Sequence, residues 1–171
     1  MTYTELHCHS AYSFLDGVSL PEELAATALE LGHQTLALTD HDGVYGSMEF
    51  AHAARGLGLR PIHGAELSLR DGRHLTLLVA SERGWRNLCR LLTLAHADTR
   101  VRLRDPAPPR VSLEVVCAHA GGLACLTGCA QGQVGKPAFS PHENVLWLIT
   151  PRHKKRLAQL YRTRNYELIT F

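Results

Sequence analysis

Short apolar runs alternate with stretches of helical periodicity along most of this 171-residue chain, and that alternation most limits the folds open to it. Thr4–Cys8 is a short strand candidate. Ser19-Leu20-Pro21-Glu22 has capping-box spacing, with Pro21 tolerated in the first helical turn. Leu24, Ala28 and Leu31 then share one face before Gly32 stops the helix. Gln34–Thr39 reads as a buried strand ending at Asp40-His41. A second helix is expected over Ser47–Leu57, closed by Gly58. Pro61–Leu69 and His74–Ala80 read as further strands, separated by the turn signal Asp71-Gly72. Ser81 caps a helix from Glu82 to about Ala95, with Trp85, Leu88, Leu91, Leu92 and Ala95 on its apolar stripe. Asp98–Arg110, rich in Arg and Pro, reads as an exposed loop. Ser112 starts a short helix ending at Gly121-Gly122, and Leu123–Thr127 is a fifth strand. The order predicts an α/β fold with a largely parallel sheet or barrel, in which sites collect at the carboxyl ends of strands.

Composition narrows the class. The length suits one domain, and a 45% hydrophobic fraction is ordinary for a globular protein. No apolar run is long enough to span a bilayer, and Met1-Thr2-Tyr3-Thr4-Glu5 lacks the character of a signal peptide, so a cytoplasmic protein without membrane partners is expected. Five irregularly spaced cysteines argue against a disulfide framework. Charge divides unevenly. Residues 1–135 hold eleven Arg against fourteen acids, a net of −3, whereas residues 136–171 hold four Arg and all three Lys against two acids, a net of +5. The first segment is therefore no basic nucleic-acid platform. The second contains the basic run Arg152, Lys154, Lys155 and Arg156, a weak candidate for gripping nucleic-acid phosphates.

The chemically loaded residues fall mainly beside the strands. In His7-Cys8-His9, residues two apart on an extended segment point the same way, so both imidazoles face one place. Asp40-His41-Asp42-Gly43 follows an apolar run; it suits a metal centre, or equally a plain Asp-Gly turn. Glu66 sits within an apolar strand, where a buried carboxylate needs a cation or several donors; an edge-strand Glu facing solvent is the bland alternative. Asp16 alone would be a loop residue, His74 alone a core histidine, and Cys129 alone a small buried hydrophobe. Taken together, nitrogen and oxygen ligands beside separate strands are enough for more than one divalent ion, and clustered divalent ions suit phosphoryl chemistry.

Several blocks then resemble one family in order. Glu5-Leu6-His7-Cys8-His9-Ser10-Ala11-Tyr12-Ser13-Phe14-Leu15-Asp16-Gly17 resembles the opening motif of the PHP (polymerase and histidinol phosphatase) domains of bacterial C-family DNA polymerase III alpha subunits. Leu38-Thr39-Asp40-His41-Asp42-Gly43-Val44-Tyr45-Gly46 resembles their second motif, leaning towards the error-prone class, and Pro61-Ile62-His63-Gly64-Ala65-Glu66 the third. His74–Ala80 with Gly84–Leu91, and Leu126-Thr127-Gly128-Cys129, resemble later blocks. The resemblance implies a distorted (β/α)7 barrel, incomplete here, and up to three ions, zinc or manganese among them. It implies His7, His9, Asp16, His41, Glu66, His74 and Cys129 as metal ligands, with Asp40 orienting His41 and no other catalytic side chain assigned. The implied activity is phosphoester hydrolysis: a 3′–5′ exonuclease on DNA 3′ ends or a pyrophosphatase, in a protein of DNA replication and damage-induced translesion repair that meets other polymerase or replisome subunits.

The motif match ends past Gln133, and the family's downstream Asp-x-His ligand segment does not occur. The reading is thus a PHP domain over 1–135 followed by a divergent basic tail over 136–171, from a disrupted reading frame or a true phosphate-gripping extension. With no polymerase palm, fingers or thumb, nucleotidyl transfer is not expected from this chain alone. Two other functions compete: a free-standing PHP phosphatase acting on small phosphate esters, and an inactive remnant that docks polymerase partners.

Overall fold

The structure, a computed structural model, describes residues 3–99 and 107–126 together with the backbone of 147–149. The chain divides into two compact units, residues 1–66 and 67–171.

The first unit begins with an extended segment rather than the expected regular strand over Thr4–Cys8. The Glu5 carboxylate accepts from the backbone N–H groups of Leu6 and His7, both at 2.9 Å, and Cys8 N–H donates to the Thr39 hydroxyl at 3.2 Å. These side chains take amides that a ladder would use, so the pairing with β1 (Thr35–Leu38) shrinks to a parallel bridge between Glu5 and Leu36. Two backbone bonds still dock the segment, Ala37 N–H to Glu5 O at 3.0 Å and Thr39 N–H to Cys8 O at 2.8 Å.

Helix α1 (Pro21–Glu30) starts one residue later than the capping-box spacing predicts: Leu20 is the N-cap, and Glu23 accepts from its N–H at 2.8 Å. Because the helix ends at Glu30, Leu31 falls outside the repeat and is exposed instead of buried. Helix α2 (Ser47–Leu57) matches its expected span and is closed by Gly58 at φ 72°, a left-handed conformation that glycine adopts without penalty. Ala25 and Ala28 of α1, Phe50 and Ala54 of α2, and Leu36 and Leu38 of β1 form one buried cluster with Leu59. The alanines let the elements approach closely around Phe50, whose truncation to Ala would cost about 3–5 kcal/mol. Strand β2 (Arg60–Ser68) pairs in parallel with β1, from Thr35 opposite Arg60 to Leu38 opposite His63. Beyond β1 the register carries on as a bridge between His41 and Glu66.

The second unit contains β3 (His74–Val79), α3 (Glu82–Ala95), α4 (Leu113–Ala118), β4 (Leu123–Leu126) and β5 (Trp147–Ile149). Both expected serine caps form: Ser81 accepts from Gly84 N–H and Ser112 from Val115 N–H. The pairing of β4 with β5 is parallel, but β3 and β4 run antiparallel, against the largely parallel sheet expected from the element order. The path explains the difference. Helix α3 leaves the carboxyl end of β3, and its end meets Arg110, which donates to Ala95 O at 3.1 Å. Val111 then bridges Leu69, just before β3 begins. The α4 segment climbs back, and Ala80 N–H donates to Gly122 O at 2.9 Å. The chain has crossed the unit twice, so β4 starts where β3 ends. No closed barrel is present among the described residues, so the fold is a mixed α/β arrangement with an open sheet.

A candidate metal centre at the end of the first parallel strand pair

Five of the expected ligands lie in the first unit, and the backbone brings them together. His7 and His9 project from the docked extended segment to one side, with ring centroids 4.9 Å apart. Cys8 between them turns the other way, packs against the apolar cluster and belongs to neither candidate ligand group, and burial pushes its thiol up to about 11. His41 follows the carboxyl end of β1 with its ring 4.5 Å from that of His9. Glu66 reaches the same place from β2, held by Glu66 N–H to Asp40 O at 3.0 Å and Asp42 N–H to Glu66 O at 2.8 Å. Asp16 arrives on the loop between the extended segment and α1.

Two overlapping groups result: His7, His9 and Glu66, and His9, Asp16 and His41, the potential ligand atoms of each lying within 4.8 Å of one another. The Glu66 carboxylate touches His7 Nε2 and lies 3.5 Å from His9 Nε2 and 3.7 Å from His41 Nδ1. Asp16 Oδ2 lies 2.5 Å from His9 Nδ1 and 3.1 Å from His41 Nε2. The Glu66 side chain is 3% exposed and that of Asp16 is 54% exposed, so the centre has a dry floor and an open mouth.

Electrostatics follow from this packing. The Glu66 carboxylate raises the His9 imidazole above its ordinary value, burial opposes it, and Asp16 adds to the rise. The imidazoles of His9 and then His41 hold the Asp16 carboxyl below the usual range. Imidazole nitrogens and carboxylate oxygens this close repel through their lone pairs unless a proton or a cation lies between them. One observation favours the cation. His9 Nε2 is buried, faces the Glu66 carboxylate at 3.5 Å and makes no well-formed hydrogen bond among the described residues. The donor set, imidazole plus carboxylate, fits borderline and harder divalent ions.

Asp40 is 1% exposed and belongs to neither candidate ligand group. Its carboxylate accepts from Ser10 N–H at 2.7 Å, Ser10 hydroxyl at 2.8 Å and Ser13 hydroxyl at 2.8 Å. The Ser13 oxygen in turn accepts from His41 N–H at 3.0 Å. Asp40 therefore anchors the loop that carries Asp16 and reaches the His41 backbone through Ser13, rather than holding the His41 ring directly. Sequence reasoning assigned no role to Ser10 or Ser13. The available signal was the burial expected of Asp40 just after an apolar strand, which calls for nearby donors. His74 opens β3 in the second unit. Cys129, Arg152, Lys154, Lys155 and Arg156 lie outside the described residues, as does nearly all of the 136–171 segment.

Imidazoles and carboxylates gathered past the carboxyl end of a parallel strand pair define an α/β domain built around a candidate divalent-metal centre. The PHP domain family model matches residues 5–167, beyond the point where the individual motifs fade, and the chain belongs to the PHP domain family. It is 45% identical over 145 residues to an error-prone DNA polymerase of Mycobacterium bovis, covering 78% of this chain and 13% of that one. It is 34% identical over 159 residues to a DNA polymerase III subunit alpha of Chlamydia trachomatis, covering 85% of this chain and 12% of that one. The chain thus spans about an eighth of the length of these relatives. A solved structure of a candidate metal-dependent phosphoesterase from Bifidobacterium adolescentis shares the fold at a TM-score of 0.61 and 16% identity, over 98% of this chain and 85% of that one. No helix among the described residues is long and apolar enough to cross a membrane.

Proposed function

We propose that this chain is the PHP domain of an error-prone DNA polymerase and hydrolyses phosphoesters with divalent ions, zinc or manganese, held by His7, His9, Asp16, His41 and Glu66. The convergence of His7, His9 and Glu66, and of His9, Asp16 and His41, with potential ligand atoms within 4.8 Å of one another, supports the reading, because a cation there holds the crowded imidazoles and carboxylates together. Ions bound there supply Lewis acidity towards phosphate oxygens and lower the pKa of water. The chain's own residues do the rest. Glu66 fixes the floor, Asp16 and His41 line the mouth where a phosphoester enters, and Asp40 holds the Asp16 loop through Ser10 and Ser13.

The substrates in this reading are DNA 3′ ends, as in a 3′–5′ exonuclease, or pyrophosphate, in the cytoplasmic setting of replication and translesion repair alongside other polymerase subunits. His74 and Cys129 are the further metal ligands of this reading. Residues 1–135 carry the hydrolytic machinery, and the basic 136–171 segment, with Arg152, Lys154, Lys155 and Arg156, contacts phosphate backbones. Metal analysis with a 3′-end nuclease assay and a pyrophosphatase assay tests the proposal. Bound zinc or manganese and metal-dependent turnover, both lost in a His7→Ala, His9→Ala double variant, are expected. A metal-free protein, or activity indifferent to the double substitution, rules it out.

A further inference from the structure

The loops that supply Asp16 and His41 each also hold a large aromatic side chain out in solvent. On the first, Phe14 is 86% exposed two residues before Asp16. That loop is firmly built: Ala11 N–H donates to Ser19 O at 2.8 Å, Asp16 N–H to Ser13 O at 3.0 Å, and Gly17 N–H to Ser13 O at 2.8 Å. Gly17 lies so close to the Ser10 carbonyl that a β-carbon there would overlap it, and Leu15 is held at φ 68°, a region a branched side chain enters only under constraint. On the second loop Tyr45 is 60% exposed, yet its ring is seated: a β-carbon on Gly43 would fall among the ring carbons. The aromatic groups are thus presented by rigid backbone and are not used in the core.

We infer that Tyr45, seated on Gly43, and Phe14 form a stacking surface for the base of a nucleotide whose phosphate occupies the neighbouring His–carboxylate site. The inference rests on the phosphoester reading above and narrows it to nucleotidyl esters. Asp16 and His41 are the more exposed members of the site, 54% and 38%, and the loops that carry them are the same two loops that carry these exposed rings. A nucleotide joins an anionic group to a flat π-face across one sugar, and the two loops offer the matching pair of features. Stacking on an aromatic ring tolerates any base, as a surface for strand ends requires.

The test compares thymidine 5′-monophosphate with inorganic phosphate, binding to the full chain loaded with manganese or zinc, by calorimetry. The native chain should bind the nucleotide more tightly than phosphate. Tyr45→Leu should weaken the nucleotide roughly tenfold and leave phosphate affinity and metal content unchanged, while Tyr45→Phe keeps both. Phe14→Ala should show a smaller loss of the same kind. Equal affinity of the native chain for the two ligands, or a nucleotide preference that survives Tyr45→Leu, overturns the stacking surface and leaves the phosphoester reading standing. If neither ligand binds to the loaded chain, the phosphoester reading fails and the stacking surface with it.

Discussion

Asp40 accepts two hydrogen bonds from a single residue, Ser10, one from its backbone N–H at 2.7 Å and one from its hydroxyl at 2.8 Å. With Ser13 added, a fully buried carboxylate is satisfied entirely by the loop it organises. Such a network is strong when complete and costly when broken, because each orphaned donor stays buried.

Asp40→Ala should therefore destabilise the protein by about 2–4 kcal/mol, read from urea unfolding, and should lower metal affinity even though Asp40 is no ligand. Asp40→Asn keeps an acceptor and should lose less. Equal metal affinity in Asp40→Ala and the native chain would show that the Ser10–Ser13 loop holds Asp16 in place without it.

His9 is the residue common to both candidate groups. His9→Ala should abolish metal retention, whereas His7→Ala and His41→Ala should each impair one group and leave part of the metal bound. Elemental analysis after dialysis distinguishes these outcomes. If His9→Ala retains as much metal as His41→Ala, the shared role is wrong.

Burial lowers the His63 imidazole to about 4, well under its ordinary 6.5. The folded state keeps this ring neutral while the unfolded chain protonates it, so its contribution to stability is fully present above about pH 6.5 and is lost as the pH falls towards 4. The loss is of the order of 3 kcal/mol at most. His63→Gln should flatten the pH dependence of unfolding between pH 6.5 and 4. An unchanged slope would place the acid sensitivity elsewhere.

Cys125 lies within β4, and burial pushes its thiol up to about 12, so hardly any thiolate exists near neutrality. Alkylation at pH 8 followed by peptide mass mapping should modify the half-buried Cys89 and Cys117 well before Cys125, with Cys125 reacting only after denaturation. Rapid modification of Cys125 in the native protein would mean that β4 opens readily.

Much of the secondary structure was legible because it depends on local spacing. The α2 span, its Gly58 stop and the two serine caps of α3 and α4 follow from turn chemistry and the 3.6-residue repeat. Local signals failed where distant groups intervened. The segment around His7 lost its ladder to the Glu5 and Thr39 side chains, and β4 reversed direction because two helical segments, not one, connect it to β3.

The candidate site divides along the same line. Residue types and spacing singled out His7, His9, His41 and Glu66, since imidazoles two apart on extended chain face the same way and an acid in an apolar strand needs a partner, while Asp16 was nominated only by the resemblance to PHP domains. Tertiary structure alone decided that these five share one place, that His9 belongs to both groups, and that Asp40 serves the loop rather than the imidazole ring. The reason is physical: one-dimensional spacing fixes the direction of a side chain relative to its neighbours in sequence, whereas distances across 25 to 59 residues are set by how β1 and β2 pair and where the loops are tied down.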